Sequence, residues 1–264
     1  MYKAFYGLSR PLFQKDIEPS HMFTHEAFTE LSGRLDYMKK HRGIMLLTGD
    51  PGTGKTTALR NFVSSLNKDL FMPVYIPLAT VAIGDFYRQL NEALKGERIS
   101  SKSALFRSIQ ERILYYALQL RKAPVIIIDE AHLLKNENFF ELQIISNFKM
   151  DSIDPALFIL AAQSHLNDRL DRSILESFNQ RINMKFYMPL LSSDDVTGYI
   201  QHHLKLAGGS PDILNENACK AVHNISGGII RKIGQLVIKT LSLGVSIKKH
   251  ILTEEEVLLA SKEM

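Results

Sequence analysis

The 264-residue chain has one cysteine, Cys219, so it can form no intrachain disulfide and build no cysteine-based metal site. That scarcity suits a reducing cytosol. No uncharged apolar run approaches membrane-spanning length, so no membrane partner is expected. The opening residues MYKAFYGLSRPLFQKD are broken by charge and proline and do not read as a signal peptide. Internal repeats and low-complexity tracts are also missing. Otherwise the composition is that of a globular protein, with 45% hydrophobic and 23% charged residues. This is enough for one large domain, alone or with a small satellite. The net charge of +4 is a mild basic bias, compatible with a polyanionic partner.

Five short apolar segments, at 43–48, 73–78, 124–129, 156–162 and 182–188, alternate with amphipathic stretches of helical length. Nearly all-apolar strands separated by helices predict a buried parallel sheet. After Pro189 no convincing strand occurs. Helical stretches there open at polar caps, close at glycines, and end with a capping box from Thr253 to Glu256. The expected organisation is an α/β domain over 1–188 and a small all-helical domain over 189–264.

Directly after the first strand comes Gly49-Asp50-Pro51-Gly52-Thr53-Gly54-Lys55-Thr56-Thr57, a full G-x-x-x-x-G-K-[ST] phosphate loop leading into a helix. Its glycines let backbone N–H groups curl around the phosphates of ATP. In that arrangement Lys55 would bridge the β- and γ-phosphates, Thr56 would hold Mg²⁺ through its hydroxyl, and the helix N-terminus would add favourable dipole. The third strand runs into Asp129-Glu130-Ala131-His132. Asp129 at a strand end suits a metal ligand, and Glu130 suits a general base that polarises water.

The letters D-E-A-H invite a helicase reading. A helicase needs a second set of apolar strands and a Gln/Arg-rich motif, and neither follows Asp129. His132 is therefore expected to be incidental to the strand end. His202-His203 lack further ligands in sequence, and Cys219 reads as a small helix residue.

Taken together, these elements resemble an AAA+ ATPase: a P-loop NTPase with a five-stranded parallel sheet and a C-terminal helical lid. The resemblance implies four further roles. Gln163, ending the fourth strand, becomes the sensor that orients water. Arg181, before the fifth strand, becomes the finger offered to a neighbouring subunit, with Arg172 and Arg169 as alternatives. Arg231 in SGGIIRKIGQL becomes the lid sensor of the γ-phosphate. Phe13 or Leu12, in the segment YGLSRPLF, becomes an apolar neighbour of the adenine.

The segments FYGLSRPLF, GIMLLTGDPGTGKTTALRNF, VIIIDEAHLL, LFILAAQSHLNDRL and SGGIIRKI narrow the resemblance to the ExeA-like ATPases and the related TnsC, TniB and IstB-like ATPases of transposons. It implies a cytoplasmic ATPase that uses ATP and Mg²⁺, forms a ring or filament on duplex DNA, and recruits a transposase. Lys95, Arg98, Lys102 and Arg107 are the candidate contacts to DNA phosphates, helped by Ser100, Ser101 and Ser103. Lys39-Lys40 and 248–250 are lesser candidates. A secretion- or envelope-associated ATPase and a weakly hydrolysing nucleotide switch are the alternatives.

Overall fold

A computed structural model describes residues 2–14, 17–77 and 82–262. Five strands form one parallel sheet: β1 (Gly43–Gly49), β2 (Phe71–Ile76), β3 (Ala123–Ile128), β4 (Leu157–Ala162) and β5 (Ile182–Met188). Their order is β2-β3-β4-β1-β5. All five expected segments are present. Leu78, the last residue of the expected second segment, lies outside the described residues.

Burial follows position in the sheet. The inner strands β1, β3 and β4 are buried at every residue, because helices cover both faces. The edge strands β2 and β5 expose part of each strand. Pro73 is tolerated in β2 because an edge strand has one side without a ladder to feed. Register is continuous from Gly43↔Leu157 to Thr48↔Ala162 between β1 and β4, and from Val125↔Leu157 to Ile128↔Leu160 between β3 and β4. Thr48 and Ala162 thus pair near the ends of β1 and β4, β3 ends opposite Leu160, and Asp129 and Gln163 directly follow β3 and β4.

The helices of the first half are α1 (Tyr2–Phe5), α2 (Glu26–His41), α3 (Lys55–Ser65), α4 (Ile83–Ala93), α5 (Lys102–Leu114) and α6 (Asn136–Ile145). Next come α7 (His165–Leu170) and α8 (Glu176–Asn179). Helix α2 was not anticipated. It buries Phe28, Leu31, Leu35 and Met38 on one face, a spacing that marks a core-facing helix. Helix α5 continues into a π-helical turn at Tyr115–Gln119.

The remaining helices are α9 (Ser193–Leu206), α10 (Glu216–Ser226), α11 (Ile230–Ser246) and α12 (Glu254–Ser261). The last two residues of the chain, Glu263 and Met264, lie outside the described residues. Each of these helices is bounded by local chemistry. Ser192 caps α9 through Asp195, and Asn215 accepts the Ala218 N–H at 2.8 Å. The Thr253–Glu256 capping box is formed, with Glu256 accepting from both the N–H and the hydroxyl of Thr253 at 2.8 Å. Gly228 separates α10 from α11 at φ +74°, where a Cβ would lie 2.3 Å from the Leu191 carbonyl oxygen. Only glycine fits there.

The chain groups into two compact units, and the grouping differs from the 1–188 and 189–264 division. One unit comprises 27–49 and 58–188. The other comprises 1–26, 50–57 and 189–264. The N-terminal segment joins the helices because it is bonded to them. Tyr6 donates to the Lys249 carbonyl at 2.9 Å, Ser9 to Ala207 at 2.8 Å, and Arg10 to Leu206 at 2.7 Å. Tyr6, Leu8 and Leu12 are buried in the helical core alongside Leu204, Leu236 and Leu241.

Candidate functional site

Gly49 of the phosphate loop ends β1, and residues 50–57 group with the helical unit. Gly52 sits at φ +87° and Gly54 at φ +97°, the left-handed backbone that lets successive N–H groups face one way. A Cβ on Gly52 would approach Ile229 to 3.0 Å and Arg231 to 3.1 Å. The Arg231 N–H donates to the Gly52 carbonyl at 3.3 Å. This places the expected lid sensor against the phosphate loop by a backbone bond. Lys55 Nζ donates to the Asp50 carbonyl at 2.9 Å, so the ammonium lies folded over its own loop. Thr56 and Thr57 begin α3 just behind it.

Phe13 lies in a ring cluster of the helical unit, with its centroid 5.5 Å from Tyr199 and 4.8 Å from His203. Leu12 is 4% exposed and belongs to the apolar core. His203 is neutral at ordinary pH, because burial, helped by His202 and Arg10, lowers it to about 4.

The acidic strand end belongs to the α/β unit. Asp129 is 5% exposed. Its carboxylate accepts the Tyr75 hydroxyl at 3.0 Å and the Glu130 N–H at 2.9 Å. Burial and the neighbouring Asp129 push the Tyr75 hydroxyl up to about 12, which keeps it a donor. Glu130 is in the left-handed region at φ 52°, an uncommon conformation for a residue with a side chain.

His132 corrects the expectation that it is incidental. It is 9% exposed, and its Nδ1 accepts the Gln163 N–H at 3.4 Å. The same Nδ1 lies 3.4 Å from Glu130 Oε2. The expected base and the expected sensor strand thus meet at one imidazole nitrogen. From α7, Asn167 donates to Thr48 Oγ1 at 3.2 Å, tying the helix to the end of β1.

The three candidate finger arginines have different environments. Arg169 is occupied within the chain: it donates to the carbonyls of His132 at 2.8 Å and Leu134 at 2.6 Å, and to Asn136 at 3.0 Å. Its guanidinium also lies over the Phe139 ring. Arg181 pairs with Asp151 at 2.7 Å. Arg172 is exposed, and its guanidinium has no ion pair among the described residues.

Among the proposed DNA contacts, Lys95, Arg98, Lys102 and Arg107 are all exposed. Lys102 pairs with Glu141 at 2.5 Å. Arg98 lines a surface depression of about 330 Å³ with Arg88, Asn91 and Ser100. Ser101 and Ser103 hydrogen-bond to each other.

Tyr75, Asn167 and Arg169 took no part in the expected site, apart from Arg169 as a finger candidate. Each is an ordinary residue in its own segment. Only pairing across the sheet reveals its connection.

Residues 38–170, half of the chain, match the family described as AAA domain. The chain belongs to the AAA domain family. It is therefore an ATPase built on the P-loop fold. It is similar to General secretion pathway protein A of Aeromonas hydrophila, with 28% identity over 267 residues, covering 100% of this chain and 48% of that protein. The chain thus spans about half the length of this curated relative. Among solved structures, Cdc6p from Pyrobaculum aerophilum superposes with a TM-score of 0.69 at 14% identity, over 94% of this chain and 71% of that one. The Aeropyrum pernix ORC1 protein in complex with DNA gives 0.61 at 17%, over 92% and 66%. The Thermotoga maritima RuvB Holliday junction branch migration motor gives 0.58 at 16%, over 91% and 69%. At these identities the likeness is one of fold. No helix among the described residues is long and apolar enough to cross a membrane.

Oxygen donors fit the expected metal. No group of three or more His, Cys, Asp or Glu among the described residues could hold an ion alone. Thr56 offers a hydroxyl in the helical unit and Asp129 a carboxylate in the α/β unit, each the kind of oxygen donor a hard cation takes.

Proposed function

We propose that this ATPase is a nucleotide-switched assembly factor that binds duplex DNA and regulates transposition. In this reading the N–H groups of 50–57 and the Lys55 ammonium hold the triphosphate. Thr56 and Asp129 are the residues that would hold Mg²⁺, which would supply charge shielding for the phosphoryl group. Glu130 accepts the proton of the attacking water, and Gln163 orients that water. Arg231 links phosphate state to the helical unit, since its own N–H already bonds Gly52. ATP holds an oligomer together, each subunit offering an arginine to its neighbour, and hydrolysis releases it. Arg172 is better placed for that role than Arg181, whose guanidinium is paired with Asp151.

The observation that carries the DNA reading is the exposed cationic segment of Lys95, Arg98 and Arg107, which has no ion pair among the described residues. Such cations suit phosphate contacts without base readout. The test is binding of random duplex DNA with a slowly hydrolysed ATP analogue across a salt series. Nucleotide-dependent binding that weakens as salt rises is expected, and Arg98→Ala with Arg107→Ala should flatten the salt slope. Absence of such binding sinks this reading. Recruitment of a transposase by the DNA-bound oligomer is its second stage, tested by co-sedimentation.

A secretion- or envelope-associated ATPase is the second reading. It is favoured by similarity along the whole chain to General secretion pathway protein A. Capture of an envelope protein in an ATP-dependent manner, without DNA binding, would select it.

A further inference from the structure

His132 Nδ1 is the point where two ties compete. The Gln163 N–H donates to it at 3.4 Å, which requires a lone pair on that nitrogen. Glu130 Oε2 lies 3.4 Å from the same atom, and a hydrogen bond to that carboxylate would require a proton there. One nitrogen cannot serve both partners. With the proton on Nε2, Nδ1 accepts from Gln163 and leaves the Glu130 carboxylate unbound by the ring. With the proton on Nδ1, the ring donates to Glu130 and releases Gln163. The ring is neutral in both tautomers, with water taking the Nε2 proton and returning one to Nδ1.

The surroundings hold the imidazole where this choice matters. Its ring stands edge-on to His165 at 5.0 Å and 86°, at the start of α7. Its carbonyl is gripped by Arg169 from the same helix at 2.8 Å. The imidazole is thus held against the segment that follows Gln163, while the Glu130 side chain beside it is 53% exposed.

We propose that His132 is a positioning residue for the hydrolytic base: its Nδ1 alternates between the Gln163 peptide N–H and the Glu130 carboxylate, so the strand end at Gln163 sets how Glu130 points. The proposal rests on Glu130 acting as the base.

Three variants of the full chain test it by steady-state ATP hydrolysis. His132→Phe keeps the ring shape and removes both bonds. It should lower kcat about 10- to 100-fold, the size of a small misplacement of a catalytic group, with KM for ATP near wild type. His132→Asn keeps an amide donor and acceptor near the Nδ1 position and should recover most of kcat. His132→Gln carries its amide toward the Nε2 position and should not. Single-turnover hydrolysis in a Glu130→Gln background should then be indifferent to His132→Phe, because the two residues act as one unit. Wild-type kcat in all three variants, beside an inactive Glu130→Gln, overturns this proposal alone. Equal slowing by His132→Phe with and without Glu130 also overturns it, as does an Asn variant that loses kcat and thermal stability in parallel with Phe. A Glu130→Gln protein that hydrolyses at the wild-type rate overturns the base assignment itself and this proposal with it.

Discussion

The phosphate loop and the acidic strand end are held by different means. Backbone holds the loop. Gly52 and Gly54 turn the chain at positive φ, and the Arg231 peptide N–H closes onto Gly52. Side chains hold the acidic end. Tyr75 reaches Asp129 from the neighbouring edge strand, His132 takes the Gln163 N–H, and Arg169 grips two carbonyls of the following turn. A loop held by backbone should be sensitive to an added Cβ. A strand end held by side chains should be sensitive to removal of a distant polar group. That difference can be broken or sharpened by substitution.

The largest effect is expected at the base. Glu130→Gln should slow hydrolysis about 10²- to 10⁴-fold while ATP still binds, as measured by turnover and by nucleotide titration. Close behind, Lys55→Ala should lower kcat about 100-fold or more and also weaken ATP binding, which separates it from Glu130→Gln. Intact ATP affinity in Lys55→Ala would contradict the phosphate-loop role.

Gly52→Ala tests the backbone side directly. Its methyl would meet Ile229 and Arg231 at φ +87°, so nucleotide affinity should drop and the helical unit should melt earlier. Arg169→Ala tests the side-chain side. It leaves the His132 and Leu134 carbonyls without their guanidinium donor, at a cost of about 1–3 kcal/mol read by denaturant unfolding. If Gly52→Ala is silent and Arg169→Ala is not, the phosphate loop is more plastic than its backbone bonds imply.

The smallest effect concerns acid. Burial alone would raise Glu256, but the Lys249 ammonium and the Thr253 N–H and hydroxyl together outweigh it and bring the carboxyl from 4.5 to about 2. A carboxyl depressed in the folded state stabilises it above the unfolded value and loses that contribution as pH falls through the folded one. Stability of the helical unit should therefore decline between about pH 4.5 and 2, and Glu256→Gln should flatten that limb in pH-dependent melting.

Much of the fold was legible because its signals are local. Continuous apolar runs place β1, β3 and β4, and the glycine pattern places the phosphate loop. Caps such as Asn215 and Thr253 place helix starts. Helix α2 was less visible because its apolar face is diluted by Lys39, Lys40 and several polar residues. The contacts of His132 were missed for a different reason. Its four-letter motif pointed to a fold the chain lacks, and dismissing that fold also dismissed the residue. Arg169 and Arg181 are alike in sequence, both charged and both near the fifth strand, and only their partners distinguish them.

By itself, the sequence determined the AAA domain, the order of the five strands along the chain, and the candidate residues for phosphate and metal. Spacing and backbone conformation dictate these, and both are written in short stretches. Tertiary structure decided which side chains answer to which. It grouped the N-terminal segment and phosphate loop with the helices, paired Lys102 with Glu141, and brought Gln163 to His132 from 31 residues away. The last of these depends on sheet order, β2-β3-β4-β1-β5, which sets β3 beside β4 regardless of their separation along the chain.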